Sequence, residues 1–347
     1  MASIDVTVCG AGIFGLSIAW TCATRGARVR VVDPFGAGSG SSGGTVGALA
    51  PHVPENWNPK KAFQLESLLM AEGFWHRVEA ESGVSAGYAR AGRLQPVPDE
   101  AGLALARNRG ASARALWGDA ATWEVIPAAD AGAWAPVSPT GWLIRDTLSA
   151  RLSPRRACAA LVAALAVRGI GIDTDMPEHP GLLVWATGWQ GLEALSKETG
   201  RAVGTGVKGQ SVLLRHDVRT GPQIYACGLH IIPHEDGTVA IGSTSERAFD
   251  DPAGTDEQCD ALLERAVAVL PVLHGAEEIE RWAGVRPRAR TRAPMLGRWP
   301  DRRDQFIANG GFKIGFGMAP KVAEVMADLV LEGRDGIPDG FRVEDSL

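Results

Sequence analysis

Gly10, Gly12 and Gly15 fall in the spacing G-x-G-x-x-G, and an acid, Asp33, follows Gly15 by 18 residues. These residue types suit one task. Gly10 permits a tight turn, Gly12 lets backbone approach a diphosphate, and Gly15 lets a helix pack closely on a strand. An acid about 20 residues further on takes the hydroxyls of a ribose, which argues against a 2′-phosphate. The chemistry implied is the holding of a dinucleotide redox cofactor, with Ile13 and Phe14 in the same turn. The fingerprint alone does not separate FAD from NAD.

The elements that must position these residues are legible around them. Ile4 to Cys9 is a β-branched run that reads as a buried strand. A small and apolar helix follows and ends at Gly26, and Ala27 to Val32 reads as a second strand. Next comes GAGSGSSGGTVG, from Gly36 to Gly47. Its composition suits a flexible linker. Directly after a ribose acid, a loop that follows the phosphates and sugar chain of a long cofactor fits better. Further on, Pro59 to Ala80 and Pro154 to Arg168 read as amphipathic helices. Residues 204 to 250 alternate short β-rich runs with glycine turns. Thr255 to Leu270 reads as helix, and Gly317 to Glu332 as a closing helix with a glycine-rich entry.

The chain has 347 residues, enough for two domains. Its 43 glycines exceed the roughly 24 of average usage. Thirteen of them sit in the fingerprint, the Gly/Ser loop and the stretch at 310, 311, 315 and 317. With 45% hydrophobic and 22% charged residues a disordered chain is excluded. The net charge of −5 gives nucleic-acid binding no bulk electrostatic support, although Arg286 to Arg292 (RPRARTR) is locally basic. No apolar stretch reaches 18 residues, so no membrane span is expected. The N-terminus MASIDVTVCGAG lacks the layout of a secretory signal. Five dispersed cysteines without C-x-x-C give zinc and dithiol chemistry no support, so no metal is expected, and a reducing cytoplasm is.

Further motifs follow in order. They are ALAP (Ala48 to Pro51), LVWATGW (Leu183 to Trp189), KGQ (Lys208 to Gln210) and HIIPHEDGTVAIGSTSE (His230 to Glu246). WAGVRP (Trp282 to Pro287), PMLG (Pro294 to Gly297) and GGFKIGFGMAPKVAEVMADLVL (Gly310 to Leu331) complete them. With the fingerprint they resemble the FAD-dependent D-amino-acid oxidase family, in its glycine oxidase-like branch, along nearly the whole chain.

The resemblance implies an α/β (α+β overall) fold. A Rossmann-like FAD-binding domain would comprise 1–80, 148–204 and 291–347. A substrate domain on an antiparallel sheet would comprise 81–147 and 205–290. It implies non-covalent FAD held by Gly10, Gly12, Ile13, Phe14, Gly15 and Asp33, and by Ser42, Gly43, Gly44, Thr45, Gly47, Ala48 and Leu49. Ala186, Thr187, Gly188, Trp189, Gly284, Gly311, Lys313, Ile314, Gly315 and Phe316 would complete the cofactor set. No cysteine matches a flavin-attachment motif.

The implied reaction passes a hydride from a substrate α-carbon to the flavin, so the protein mainly orients. Arg286 matches the family's carboxylate-binding arginine, whose fork suits a carboxylate. The family's tyrosine is replaced by His230, and its arginines by His234 and Lys313. His230 could hydrogen-bond a carboxylate or amine and titrate near neutral pH. Lys313 keeps positive charge without the planar fork. His234 is expected to face outward, and His52 to approach the flavin ring. The segment 169–181 is shorter than the family's β-meander, which could leave the adenine exposed. Trp117, Trp123, Trp134 and Trp142 are candidates for an aromatic pocket.

The expected partners are a small amine or amino-acid substrate and oxygen or another electron acceptor. The oligomeric state stays open, a homo-oligomer included. The PRARTRAPMLG stretch (Pro287 to Gly297) and the closing helix also resemble the oxidase domain that acts on a carboxymethylamino group of tRNA wobble uridine, a reading the net charge opposes. A flavin-bound sensor without catalysis is the third alternative.

Overall fold

The computed structural model describes residues 4–347, so the first three residues of the segment read for a secretory signal lie outside it. The chain begins with β1 (Val6–Cys9), α1 (Ile13–Thr24) and β2 (Val29–Val32). All four β1 residues are buried, as a strand covered on both faces of a parallel sheet requires. The strand starts two residues later than the sequence suggests, because Asp5 turns aside to accept hydrogen bonds from Arg28.

Next come β3 (Ala48–Leu49), α2 (Pro59–Ser82), β4 (Arg93–Pro96), α3 (Glu100–Trp117), β5 (Trp123–Pro127) and β6 (Trp142–Asp146). Asn58 caps α2 by accepting from Lys61 N at 3.1 Å, and Asp99 caps α3 by accepting from Gly102 N at 2.7 Å. The sequence reading did not find α3. Its buried stripe is only Leu103, Ala106, Ala113 and Trp117, and exposed apolar residues such as Ala104, Leu105 and Ala115 mask its helical period.

The chain then returns through β7 (Ala150–Arg151), α4 (Pro154–Val167), β8 (Ile172–Asp173), β9 (Leu182–Trp185) and α5 (Gly188–Thr199). The shortened segment still adds β8 as an edge strand beside β2. The remaining elements are β10 (Gly204–Arg215), β11 (Gln223–Ala226), β12 (Leu229–Pro233), β13 (Thr238–Gly242), α6 (Gln258–Val269), β14 (Glu277–Ala289), β15 (Met295–Arg298), β16 (Gln305–Asn309) and α7 (Gly315–Glu332). Helix α6 starts later than expected because the Asp256 side chain accepts from Gln258 N at 3.0 Å.

Two sheets organise the molecule. The first has the order β15-β16-β9-β1-β2-β8, parallel except for β15 with β16. The second has the order β14-β10-β13-β12-β11-β4-β6-β5, antiparallel except where β11 and β4 run parallel. In the first sheet the chain leaves β1 for β2 on one side, while β9 lies on the other. Ligands of such sheets bind outside the carboxyl ends of the strands at this switch point. Helix α7 packs on α1 and α2, and their contact forms the main core. A second core lies between the antiparallel sheet and α6. Among the described residues, no helix is long and apolar enough to cross a membrane.

Candidate active site

The fingerprint turn sits at the switch point. Gly10 follows β1 with φ +110°, and any Cβ there would strike the Ala186 carbonyl. Gly15 lies against the Gly10 carbonyl, which is the close helix–strand packing its spacing implies. The Asp33 carboxylate accepts from Ala11 N at 2.7 Å and from Phe35 N at 2.9 Å, so it braces the turn as it faces the cavity. Ser42 reaches back from the Gly/Ser loop and accepts from Ile13 N at 3.0 Å.

From this turn a cavity of about 880 Å³ extends to the face of the antiparallel sheet. Three helix starts line it, at Ile13 of α1, Gly188 of α5 and Gly315 of α7. The first turn of a helix carries unpaired N–H groups and partial positive charge, which suits a diphosphate. The cavity also receives Gly12, Phe14, Gly44, Thr45, Ala48, Ala186, Thr187, Trp189, Gly311, Lys313 and Phe316 of the expected cofactor set. Gly15, Gly43, Gly47, Leu49, Gly284 and Ile314 do not line it. Gly43 lies against the Gly38 carbonyl, Gly47 against that of Leu152, and Gly284 under the Trp282 ring. Leu49 is fully buried and Ile314 packs on the main core, so all six support the walls from behind.

Arg286 projects from β14 into the far end. Its Nη1 donates to Ser243 Oγ at 2.8 Å, and its Nη2 donates to the carbonyls of Thr244 (2.7 Å) and Lys208 (3.1 Å). Gly209, opposite Gly284 on the neighbouring strand, makes this pose possible, since a Cβ at 209 would overlap the guanidinium. Nε of Arg286 is buried without a partner. Burial lowers its pKa to about 10, still a cation at neutral pH, and Glu246 works in the opposite direction. Glu246 itself faces Lys208 (3.7 Å) and accepts from Thr244 Oγ1.

His230 lies on β12 across from Tyr225 of β11, with ring centroids 4.8 Å apart, and both line the cavity. The expectation of titration near neutrality is overturned. Burial, then Arg93 and Lys313, hold the imidazole down to about 4, so it is neutral at pH 7. Its Nδ1 is buried without a partner. Burial and then Arg286 also lower the pKa of Lys313.

Other expectations are corrected. His52 does not line the cavity; its ring and backbone N both meet the Gln64 side chain. His234 does not face outward but is 4% exposed, and its Nε2 donates to the Thr45 carbonyl at 3.0 Å. None of the four tryptophans singled out reaches the cavity. Trp117 and Trp123 pair edge to face beside α3, Trp134 donates to the Pro222 carbonyl, and Trp142 meets Arg107. Trp185, Trp189 and Trp282 line the cavity instead. Tyr225, Ser243 and Phe312 also escaped the sequence reading, although Tyr225 is one of only two tyrosines and Phe312 stands inside the GGFKIG stretch. The basic run disperses: Arg286 enters the cavity, Arg288 lies over Phe312, and Arg290 donates to the Leu347 carbonyl.

The glycine-shaped turn, the ribose-side acid and the converging helix starts fit the diphosphate and sugars of FAD. Cys9 is the one cysteine lining the cavity among the described residues. Its thiol is pushed up to about 11 by burial and lies 3.7 Å from Met176 Sδ.

Fold and site together define a two-sheet oxidoreductase built around a dinucleotide. The family model described as FAD dependent oxidoreductase matches residues 5–329, and the chain belongs to that family. It is an FAD-dependent oxidoreductase. Glycine oxidase of Geobacillus kaustophilus is 27% identical over 355 residues, covering 94% of this chain and 92% of that protein. The crystal structure of glycine oxidase from Geobacillus kaustophilus superposes with a TM-score of 0.85 at 22% identity, covering 98% of both chains. Iminodiacetate oxidase from Chelativorans sp. BNC1 gives 0.84 at 21% identity, covering 97% of this chain and 98% of that one.

Proposed function

We propose that the protein oxidises the C–N bond of a small amino acid or secondary amine that carries an α-carboxylate, of the glycine, sarcosine or D-amino-acid type. The observation that carries this reading is Arg286, a fixed guanidinium on the cavity wall with no carboxylate in its own hydrogen bonds. The relatives named for glycine and iminodiacetate support it, because both compounds contain an N–CH₂–COO⁻ unit. On this reading residues 1–80, 148–204 and 291–347 form the flavin domain, and 81–147 with 205–290 form the substrate domain.

Bound FAD supplies the acceptor for two electrons. Arg286 holds the substrate carboxylate and so fixes the α-carbon. Neutral His230 and Tyr225, which face each other across the strand pair, flank the amine. Trp189 and Trp282 keep bulk water from the reacting carbon. A C–H bond and an N–H bond of the substrate break, the electron pair with its hydrogen would be taken up by bound FAD and the proton by solvent, and the resulting imine is hydrolysed. Release of hydrogen peroxide would mark oxygen as the acceptor.

Anaerobic mixing of the holoenzyme with glycine, N-methylglycine, D- and L-amino acids and simple amines tests this. Bleaching of the flavin bands by carboxylate-bearing amines is expected. Equal bleaching by amines without a carboxylate would refute the role of Arg286.

A further inference from the structure

Phe312 carries three cations around one ring. Arg286 Cζ lies 5.8 Å from its centroid, Arg288 Cζ 5.9 Å and Lys313 Nζ 5.8 Å. The ring is fixed in place, because Phe312 N donates to the Pro287 carbonyl at 2.9 Å and the residue holds φ at 44°. A cluster of this kind normally recruits carboxylates. Here none lies within ion-pair distance of Arg286, Arg288 or Lys313 among the described residues; the nearest acid network, at Glu246, is spent on Lys208 and Thr244. Asp33 is the only carboxylate on the cavity wall among the described residues, and it belongs to the fingerprint turn on the parallel sheet. The far end therefore offers Arg286 and Lys313 to whatever enters, with neutral His230 and Tyr225 beside them.

One carboxylate answers one of these cations. Arg286 can take it, since it lines the cavity and one Nη1 N–H is left over from its bonds to Ser243, Thr244 and Lys208. Lys313 remains, on a different element and with no polar side-chain partner of its own. Lys313 is exposed on the cavity wall, so its ammonium is open to an anion that enters. We propose that the preferred substrate is an amine with two carboxylates, the first held by Arg286 and the second by Lys313. This rests on the reading given under Proposed function and names the substrate class of the same site. For a secondary amine of this class, the C–H and N–H bonds break as before, hydride passing to FAD and the proton to solvent. Water then adds to the C=N bond, the old C–N bond breaks, and an oxo acid and an amino acid leave.

Two measurements on the holoenzyme test it. In the first, acetate and malonate, which are not oxidised, are titrated against the flavin absorbance. Malonate is expected to bind at least about tenfold more tightly, the size of one charge-assisted contact. In Lys313→Met that advantage should vanish. In the second, iminodiacetate is compared with N-methylglycine for anaerobic flavin reduction, with kcat/KM expected to favour iminodiacetate by about tenfold or more. Equal binding of acetate and malonate would overturn the proposal. So would a Lys313→Met effect that is the same for both, which would assign the lysine to the reduced flavin or to the first carboxylate. Failure of every amine to bleach the flavin would sink the proposed reaction, while the acetate–malonate comparison would still decide the two-anion site.

Discussion

The two ends of the cavity are built from different materials. The nucleotide end is made of backbone: the turn at Gly10, the Gly/Ser loop and the first turns of three helices. The substrate end is made of long side chains, chiefly Arg286, Lys313, His230 and Tyr225, projecting from strands and one loop. Backbone sites tolerate change poorly but recognise a constant ligand. Side-chain sites can be re-equipped while the sheet beneath stays the same. Variants at the two ends should therefore fail differently.

The largest effect is expected at the nucleotide end. Gly15→Val places a side chain into the Gly10 carbonyl and should cost roughly 1–3 kcal/mol, with loss of bound flavin. The ratio of flavin to protein absorbance after desalting reads this, and a yellow, stable variant would break the comparison. At the other end, Arg286→Ala should keep its flavin and lose carboxylate binding, with KM raised about tenfold to 100-fold. Unchanged KM would remove Arg286 from the substrate.

A smaller effect concerns pH. His230 is neutral in the folded protein down to about 4, whereas unfolded histidine titrates near 6.5. Between those values the unfolded chain binds more protons, so stability rises with pH across this window and is lost as pH falls through it. Melting curves of His230→Gln should show a weaker pH dependence between about 4 and 6.5. The acid limb of kcat/KM should likewise show no midpoint near 6.5; finding one would contradict a neutral imidazole. The smallest catalytic effect belongs to Trp123→Phe, which deletes the 2.9 Å bond to the Ala106 carbonyl. It should cost about 1 kcal/mol of stability and leave KM unchanged.

The same division explains what the sequence discloses. Gly10 and Gly15 are legible because only glycine suits a positive φ or a touching backbone at those points, and Asp33 because an acid at that spacing completes the fingerprint. Helix α3 is not, because exposed apolar residues such as Ala104, Leu105 and Ala115 blur its buried face. The state of His230 depends first on its burial, then on Arg93, 137 positions away in the chain, and on Lys313, so its charge is a property of the folded neighbourhood. Trp142 and Trp282 look alike in a sequence; the strand that carries each decides that one meets Arg107 and the other the cavity. His52 follows the ALAP motif closely, yet Gln64 of α2 claims its ring.

Gly209 has a consequence for how this enzyme can change. It lines the cavity, and it leaves the space that the guanidinium of Arg286 fills. A single methyl group there would evict the clamp without altering the clamp's own codon. A side chain at 209 and the present pose of Arg286 therefore exclude each other, so the two positions act as one unit in shaping this end of the cavity.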